Sequence, residues 1–266
     1  MAKPRQIDLP DGTVIPILYE DRSVLAIDKP AGWLLVPTDW EETSRNLQRA
    51  LESGINGGEF WAHSRNLKYL RFIHRLDAET SGVLLMAKSP GALPAYSKLF
   101  EGREVEKTYL AVVTGVPKEQ AWTCKLAVAP DPAKRGRMRV ENPRTGHKAA
   151  DSKDAETCFR VLRAGRDSAL IEARPITGRT HQIRLHLTAA GHPVVGDPEY
   201  ESASPPTVRR SGRDISMALR AISVAYKDPF TGKHVRIQAP FDQFVKKYGF
   251  SITPDELFSR VLRQTI

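Results

Sequence analysis

"HRLDAETSG", His74 to Gly82, places Arg75 and Asp77 two residues apart, just ahead of a Thr-Ser-Gly turn that opens into the apolar run VLLMA. Charge therefore stands where a buried strand is about to begin. Gly82 permits an unusual backbone there, and Thr80 and Ser81 can bond to neighbouring main chain. "EKTYLAVV" puts Tyr109 at the start of a second strand, whose alternation decides which face it uses. "GRTHQIRLHL" sets Arg184 beside the apolar positions of a short helix, with its guanidinium at the edge of the core. A carboxylate can act as nucleophile or base, and a phenol can carry a proton and present a flat face. A guanidinium can keep a carboxylate ionised and aimed. Taken singly, an Asp in a turn, a Tyr in a strand and an Arg in a helix are ordinarily structural.

The elements that must position these groups are mostly short strands with a few helices. "VLAID" and "GWLLVP" are apolar runs separated by the turn "KPAG", and both read as strands, as do "KTYLAVVTG", "SALIEARPI" and "HVRIQAP". "SPGALPAYSKLFEGR" reads as a helix with a Ser cap, Leu93, Tyr96, Leu99 and Phe100 at helical spacing, and Gly102 as its stop. Pro94 fits only if it lies in the first turn. Thr180 is expected to cap a short helix with an Ile183/Leu187/Ala190 stripe, ended by Gly191 and Pro193. A further helix is expected from Asn46 to Glu52, followed by a loop from Gly54 to Gly58. This is a mixed, largely antiparallel α+β pattern in one domain, without the regular alternation of a doubly wound sheet.

The 266 residues are 41% hydrophobic and 27% charged, as in a soluble globular chain with a sizeable core. No apolar run is long enough to span a bilayer, and "MAKPRQIDLPDG" lacks the apolar centre of a signal peptide, so a cytoplasmic location is expected. Cys124 and Cys158, 34 positions apart with no CxxC, read as two reduced thiols. His181 and His186 have the wrong spacing for a helical ligand pair and there is no HExxH, so no metal site is expected; His74 reads as a structural hydrogen-bonding residue. The formal net charge of +9 favours a polyanionic partner. That charge concentrates in "AKRGRMRVENPRTGHK", with Lys134, Arg135, Arg137, Arg139, Arg144 and Lys148 against Glu141 alone, and in "VRRSGR", with Arg209, Arg210 and Arg213. Both stretches read as loops that could grip phosphates, or as solvated surface.

Read jointly, these segments resemble the RluA-type family of RNA pseudouridine synthases. "ILYEDRSVLAIDKPAGWLLVP" is similar to the family's opening segment, "HRLDAETSGVLLMAKS" to its aspartate motif and "EKTYLAVVTG" to its tyrosine motif. "RPITGRTHQIRLHLTAAGHPVVGDPEY" is similar to its closing arginine motif. The resemblance covers nearly the whole chain, in the family's order. It implies a bent, mixed, mostly antiparallel sheet with flanking helices and a central RNA-binding cleft. The expected division is an N-terminal extension over 1–16, a catalytic domain over 17–245 and a C-terminal tail or helix over 246–266. With 16 residues ahead of Ile17, the small RNA-binding module that many relatives carry there is expected to be absent.

The implied reaction isomerises uridine within RNA: the N1–C1′ bond breaks, the uracil turns, and C5 joins C1′. The resemblance implies no cofactor and a monomeric enzyme acting on ribosomal or transfer RNA. Asp77 would attack C1′ as a nucleophile or remove a 2′ proton as a base, with Arg184 keeping it charged. Tyr109 would face the flipped base near C5, where the last proton leaves, and Arg75 would fill the gap left by the extruded base. Arg179, Lys134, Arg135, Arg137 and Arg139 are the expected RNA contacts. A binding module of the same fold is the alternative, although such a module has no need of Asp77. A glycoside hydrolase would require two facing carboxylates rather than one Asp with an Arg.

Overall fold

The computed structural model describes residues 3–35, 45–141, 149–201 and 216–258. In chain order the elements begin with strands β1 (Gln6–Asp8), β2 (Val14–Glu20) and β3 (Val24–Lys29), then helices α1 (Leu47–Asn56) and α2 (Phe60–His63). Next come β4 (Arg71–Phe72), β5 (Ser81–Ala87), α3 (Ala92–Glu101) and β6 (Glu106–Thr114). They are followed by β7 (Ala121–Cys124), β8 (Val128–Pro130), β9 (Met138–Val140), β10 (Thr157–Ala164), β11 (Ser168–Pro175) and α4 (Gln182–Ala189). The chain continues through β12 (Leu219–Lys227), β13 (His234–Gln238), α5 (Asp242–Lys247) and α6 (Pro254–Phe258). This is the mixed α+β class expected from the sequence. Two compact units emerge, residues 1–107 with 221–239 and residues 108–220 with 240–266.

In the first unit the strands run in the order β1-β2-β3-β5-β12, with β4 added to β5 and β13 to β12. β3 and β5 pair antiparallel, with Ile27 opposite Leu84 and Lys29 opposite Gly82. Their unbroken apolar runs are buried on both faces, so neither strand shows the polar alternation of a half-exposed one. Val24, Ala26, Val83 and Leu85 pack with Tyr96 of α3 and with Val224 and Tyr226 of β12. α3 forms where the sequence predicts, although its N-cap is Gly91 and the serine stands two residues earlier. Ser89 Oγ accepts from Ala92 N–H at 3.2 Å. Pro94 is the third helical residue, where a missing N–H costs no intrahelical bond, and Gly102 is the C-cap.

Two expectations fail in this unit. "GWLLVP" is not a strand among the described residues: Gly32 takes φ +82°, and Leu34 makes only an isolated bridge to Asn46. α1 does start at Asn46, whose side chain accepts from Arg49 N–H at 3.0 Å, but it runs on to Asn56, so Gly54 is helical rather than in a loop. A Cβ on Gly54 would stand 2.7 Å from the Trp61 ring, so the glycine is there for close packing.

The second unit orders its strands β6-β11-β10-β7, all antiparallel, and holds β8 and β9 as a separate two-stranded pair. α4 departs from expectation. Its N-cap is His181, in the left-handed region at φ +56°, and no side chain caps it. Its buried residues run continuously from Gln182 to Leu187 while Ala190 is exposed, so the helix is enclosed rather than lying on one stripe. In place of a Thr180 cap, Gln182 anchors the first turn. Its Oε1 accepts from Thr177 Oγ1 at 2.7 Å and Arg179 N–H at 2.9 Å, and its Nε2 donates to Glu156 O and Thr157 Oγ1, each at 2.9 Å. The C-terminal segment packs on β10: Leu257 is buried and Arg160 donates to its carbonyl at 3.3 Å.

Candidate active site

Asp77 lies in the first unit, in a turn closed by Thr80 N–H donating to Asp77 O at 3.1 Å. Three features fix that turn. Lys29, at the end of β3 and fully buried, donates from Nζ to Ala78 O at 2.7 Å and to Thr80 O and Pro30 O at 3.0 Å each. Gly32 N–H donates to Ala78 O at 2.8 Å, so the "KPAG" segment is stitched to the aspartate turn. Gly82, at φ +112°, begins β5 so close to β12 that a Cβ would stand 1.9 Å from Ala221 O. In the sequence "KPAG" reads as a turn and nothing more, and Lys29 passes unmarked; an ammonium ending an apolar strand is the signal that could have found it. Burial pulls the Lys29 amine down to about 8, against the upward pull of Glu79 and Asp77.

The residues leading into the turn are pinned as well. His74 stacks on Phe100 at 4.7 Å, and its Nε2 accepts from Leu85 N–H at 3.1 Å, which places the ring proton on Nδ1. Loss of hydration drives this imidazole down to about 3, helped by the Lys107 charge, so it is neutral and structural as the sequence suggests. Arg75, between His74 and the turn, is exposed.

Tyr109, Arg184 and Arg179 lie in the second unit. Tyr109 is buried in β6 opposite Ala173 of β11. Lys107, two residues earlier on the same strand, is half-buried, and loss of hydration lowers its amine to about 8. Arg184 is 4% exposed and grips Asp197 in a bidentate pair, Nε to Oδ2 and Nη2 to Oδ1, both at 2.7 Å. Its guanidinium also lies 4.9 Å from the centre of the Tyr200 ring. Asp197 Oδ1 further accepts from Glu199 N–H at 2.9 Å and Tyr200 N–H at 3.1 Å. Asp197 and Tyr200 sit in "GDPEY", at the end of the segment similar to the arginine motif, but the sequence reading assigns neither a role, because their partner Arg184 is more than a dozen residues away. Arg179 donates from Nε to Asp154 O at 3.0 Å.

The basic stretch from Ala133 is a loop as far as Arg137, as expected, and its next residues, Met138–Val140, are strand β9. The loop is the tip of a β-hairpin, β8–β9, with Ala129 opposite Arg139 and Pro130 opposite Met138. Asp131 Oδ1 accepts from Ala133 N–H at 3.0 Å, and Gly136 takes φ +82°, which together build the tip. Its cations are partly answered by acids, two of them close in sequence and one, Glu199, more than 60 residues away. Lys134 pairs with Glu199 at 2.9 Å, Arg137 stands 3.6 Å from Glu199 and 3.7 Å from Asp131, and Arg139 pairs with Glu141 at 3.0 Å. Arg135 is exposed at the tip. Arg144 and Lys148, and the Arg209, Arg210 and Arg213 cluster, lie outside the described residues. His186 Nε2–H donates to Leu126 O at 2.9 Å, leaving Nδ1 for the Thr157 hydroxyl at 2.9 Å, so this ring is held by the fold.

An RNA pseudouridylate synthase model matches residues 23–189, a span that includes the Lys29 anchor, the Asp77 turn, Tyr109 and Arg184. The chain belongs to that family. Among relatives, ribosomal large subunit pseudouridine synthase C of Buchnera aphidicola is 33% identical over 87% of this chain and 69% of its own length. The Escherichia coli protein of the same description is 31% identical, over 87% and 68%. Among solved structures, Human RNA Pseudouridylate Synthase Domain Containing 1 superposes with a TM-score of 0.70 at 27% identity, covering 92% of this chain and 93% of its own. As an RNA pseudouridine synthase, the chain is an isomerase that acts on uridines in RNA. No described helix is long and apolar enough to cross a membrane.

Proposed function

We propose that this pseudouridine synthase isomerises uridine in ribosomal RNA, with Asp77 as nucleophile or base. The observation that supports it most is the Asp77 turn. Lys29 commits a fully buried ammonium to the carbonyls of that turn, and Gly82 lacks a side chain so that the strand behind it can close on Ala221. Costly fixing of backbone around one carboxylate is what a reaction demanding tight alignment requires. In this reading Tyr109 stacks on the turned uracil and lies near the C5 proton, and Arg184 keeps Asp77 charged while Asp197 holds Arg184. Arg75 fills the space of the extruded base. Arg179, Lys134, Arg135, Arg137 and Arg139 meet RNA phosphates, and the enzyme works as a monomer. The choice of ribosomal RNA follows the names of the relatives.

Tritium release from C5-labelled uridine tests this directly. Purified protein is mixed with labelled ribosomal RNA and, separately, labelled transfer RNA from cells lacking the gene. Release from ribosomal RNA alone is the expected result. Release from transfer RNA alone would overturn the substrate assignment.

A further inference from the structure

Tyr200 joins three elements of the second unit. Its ring packs with Val128, Ala155 and Leu185, and Met138 and Val140 of β9 lie against that cluster. Its hydroxyl accepts from Met138 N–H at 3.1 Å and shares a 2.7 Å hydrogen bond with His181 Nδ1. Its own N–H donates to Asp197, the carboxylate that grips Arg184, and its ring carries the Arg184 guanidinium at 4.9 Å and that of Arg137 at 5.4 Å. His181 opens α4 in the left-handed region at φ +56°, a conformation that non-glycine residues adopt only when their surroundings hold them. One 5%-exposed residue thus touches the basic hairpin, the start of α4 and the Arg184 guanidinium through its side chain, and Asp197 through its backbone N–H.

We propose that Tyr200 is a positioning residue that ties the hairpin to Arg184, so that seating RNA phosphates on the hairpin and aiming Arg184 happen together. This rests on the RNA-modifying reading above and gives the hairpin a part beyond affinity. The hydroxyl is the tie. The backbone N–H of Met138 fixes where β9 runs, and His181 fixes where α4 begins, immediately before Gln182 and less than one helical turn from Arg184. Asp197 alone would hold Arg184 whether or not the hairpin were in place; the Tyr200 hydroxyl makes one depend on the other. At 5% exposure the side chain is enclosed, so its role is not a surface contact with RNA.

Tyr200→Phe keeps the ring, its packing and its cation–π contacts, and removes only the hydroxyl. It is combined with a hairpin variant, Arg135→Ser/Arg139→Ser, and tritium release is followed at saturating RNA and across RNA concentrations. Tyr200→Phe should lower kcat by roughly ten- to hundredfold, the scale of a small misplacement, with little change in KM. The hairpin variant alone should raise KM and also lower kcat. Together they should lower kcat no further than Tyr200→Phe alone, because the tie is already cut. Wild-type kcat in Tyr200→Phe, or kcat losses that multiply, would overturn the proposal. Should Tyr200→Phe not fold, His181→Asn tests the same tie, since Asn tolerates the left-handed backbone but cannot place a ring nitrogen on the hydroxyl. It should show the same non-additivity, and multiplied losses there overturn the proposal equally. A wild-type chain that binds these RNAs yet releases no tritium would instead sink the reading on which this rests.

Discussion

At the scale of single residues, Asp77 is the sharpest test. Asp77→Asn is nearly isosteric, and the turn that holds it is built from backbone carbonyls of Ala78 and Thr80 rather than from its carboxylate. Fold and RNA affinity should survive while tritium release is abolished; turnover at the wild-type rate in a folded variant would refute the assignment. Arg184 is a harder residue to probe, and the structure says why. Arg184→Met would leave the Asp197 carboxylate buried without its cation, at a cost of about 3–5 kcal/mol in stability. A fall in activity would then report unfolding as much as chemistry, so Arg184→Lys, which keeps a charge, is the better substitution. His74 offers a titration. Its folded value of about 3 lies below the ordinary 6.5, so between them the unfolded chain binds a proton that the folded chain refuses. Its contribution is therefore intact above pH 6.5 and lost as pH falls toward 3. In His74→Gln, where an amide oxygen can still accept from Leu85 N–H, urea unfolding should show a shallower loss of stability over that window.

At the scale of elements, local patterns are legible in the sequence and long-range ones are not. α3 can be read because its cap, its apolar spacing and its stop all lie close together along the chain. α1 is legible at its start, from Asn46, but not at its end, because Gly54 normally breaks helices and here is kept for contact with Trp61. α4 can be placed but not capped correctly: its real anchor, Gln182, draws on Glu156 and Thr157, more than 20 residues away. Lys29 is hidden for the same reason, since its acceptors Ala78 and Thr80 are 49 and 51 residues distant. Gly82, by contrast, is legible as a backbone requirement. Gly82→Ala should force β5 from Ala221 and add strain at φ +112°, destabilising the chain by about 1–3 kcal/mol or more. Activity should fall further than stability alone predicts, because Asp77 is on the same short segment. A stable Gly82→Ala variant with full kcat would show that the turn tolerates displacement.

At the scale of the molecule, an excess of nine positive charges biases the chain toward polyanions, but the structure shows that not all of it is available. Lys134, Arg137 and Arg139 rest on Glu199, Asp131 and Glu141 in pairs that are largely at the surface, each worth about 0–1 kcal/mol. Phosphates can compete with pairs of that strength. Replacing Lys134, Arg135, Arg137 and Arg139 with Ser should weaken RNA binding and flatten the log–log dependence on salt by up to about one unit for every phosphate no longer neutralised. A slope identical to that of the wild type would make the hairpin a solvated surface.

Lys29 also has a consequence for chemical labelling. Acylating reagents attack neutral amines, and an amine brought down to about 8 is neutral far more often at mild pH than the exposed lysines of the same chain. It is nevertheless sealed, with 0% of its surface exposed, so reagent reaches it only when the Asp77 turn opens. The rate at which Lys29 becomes modified, followed by peptide mass in the intact protein, is therefore a clock for that opening. RNA that closes over the turn should slow the clock, and Gly82→Ala should run it fast.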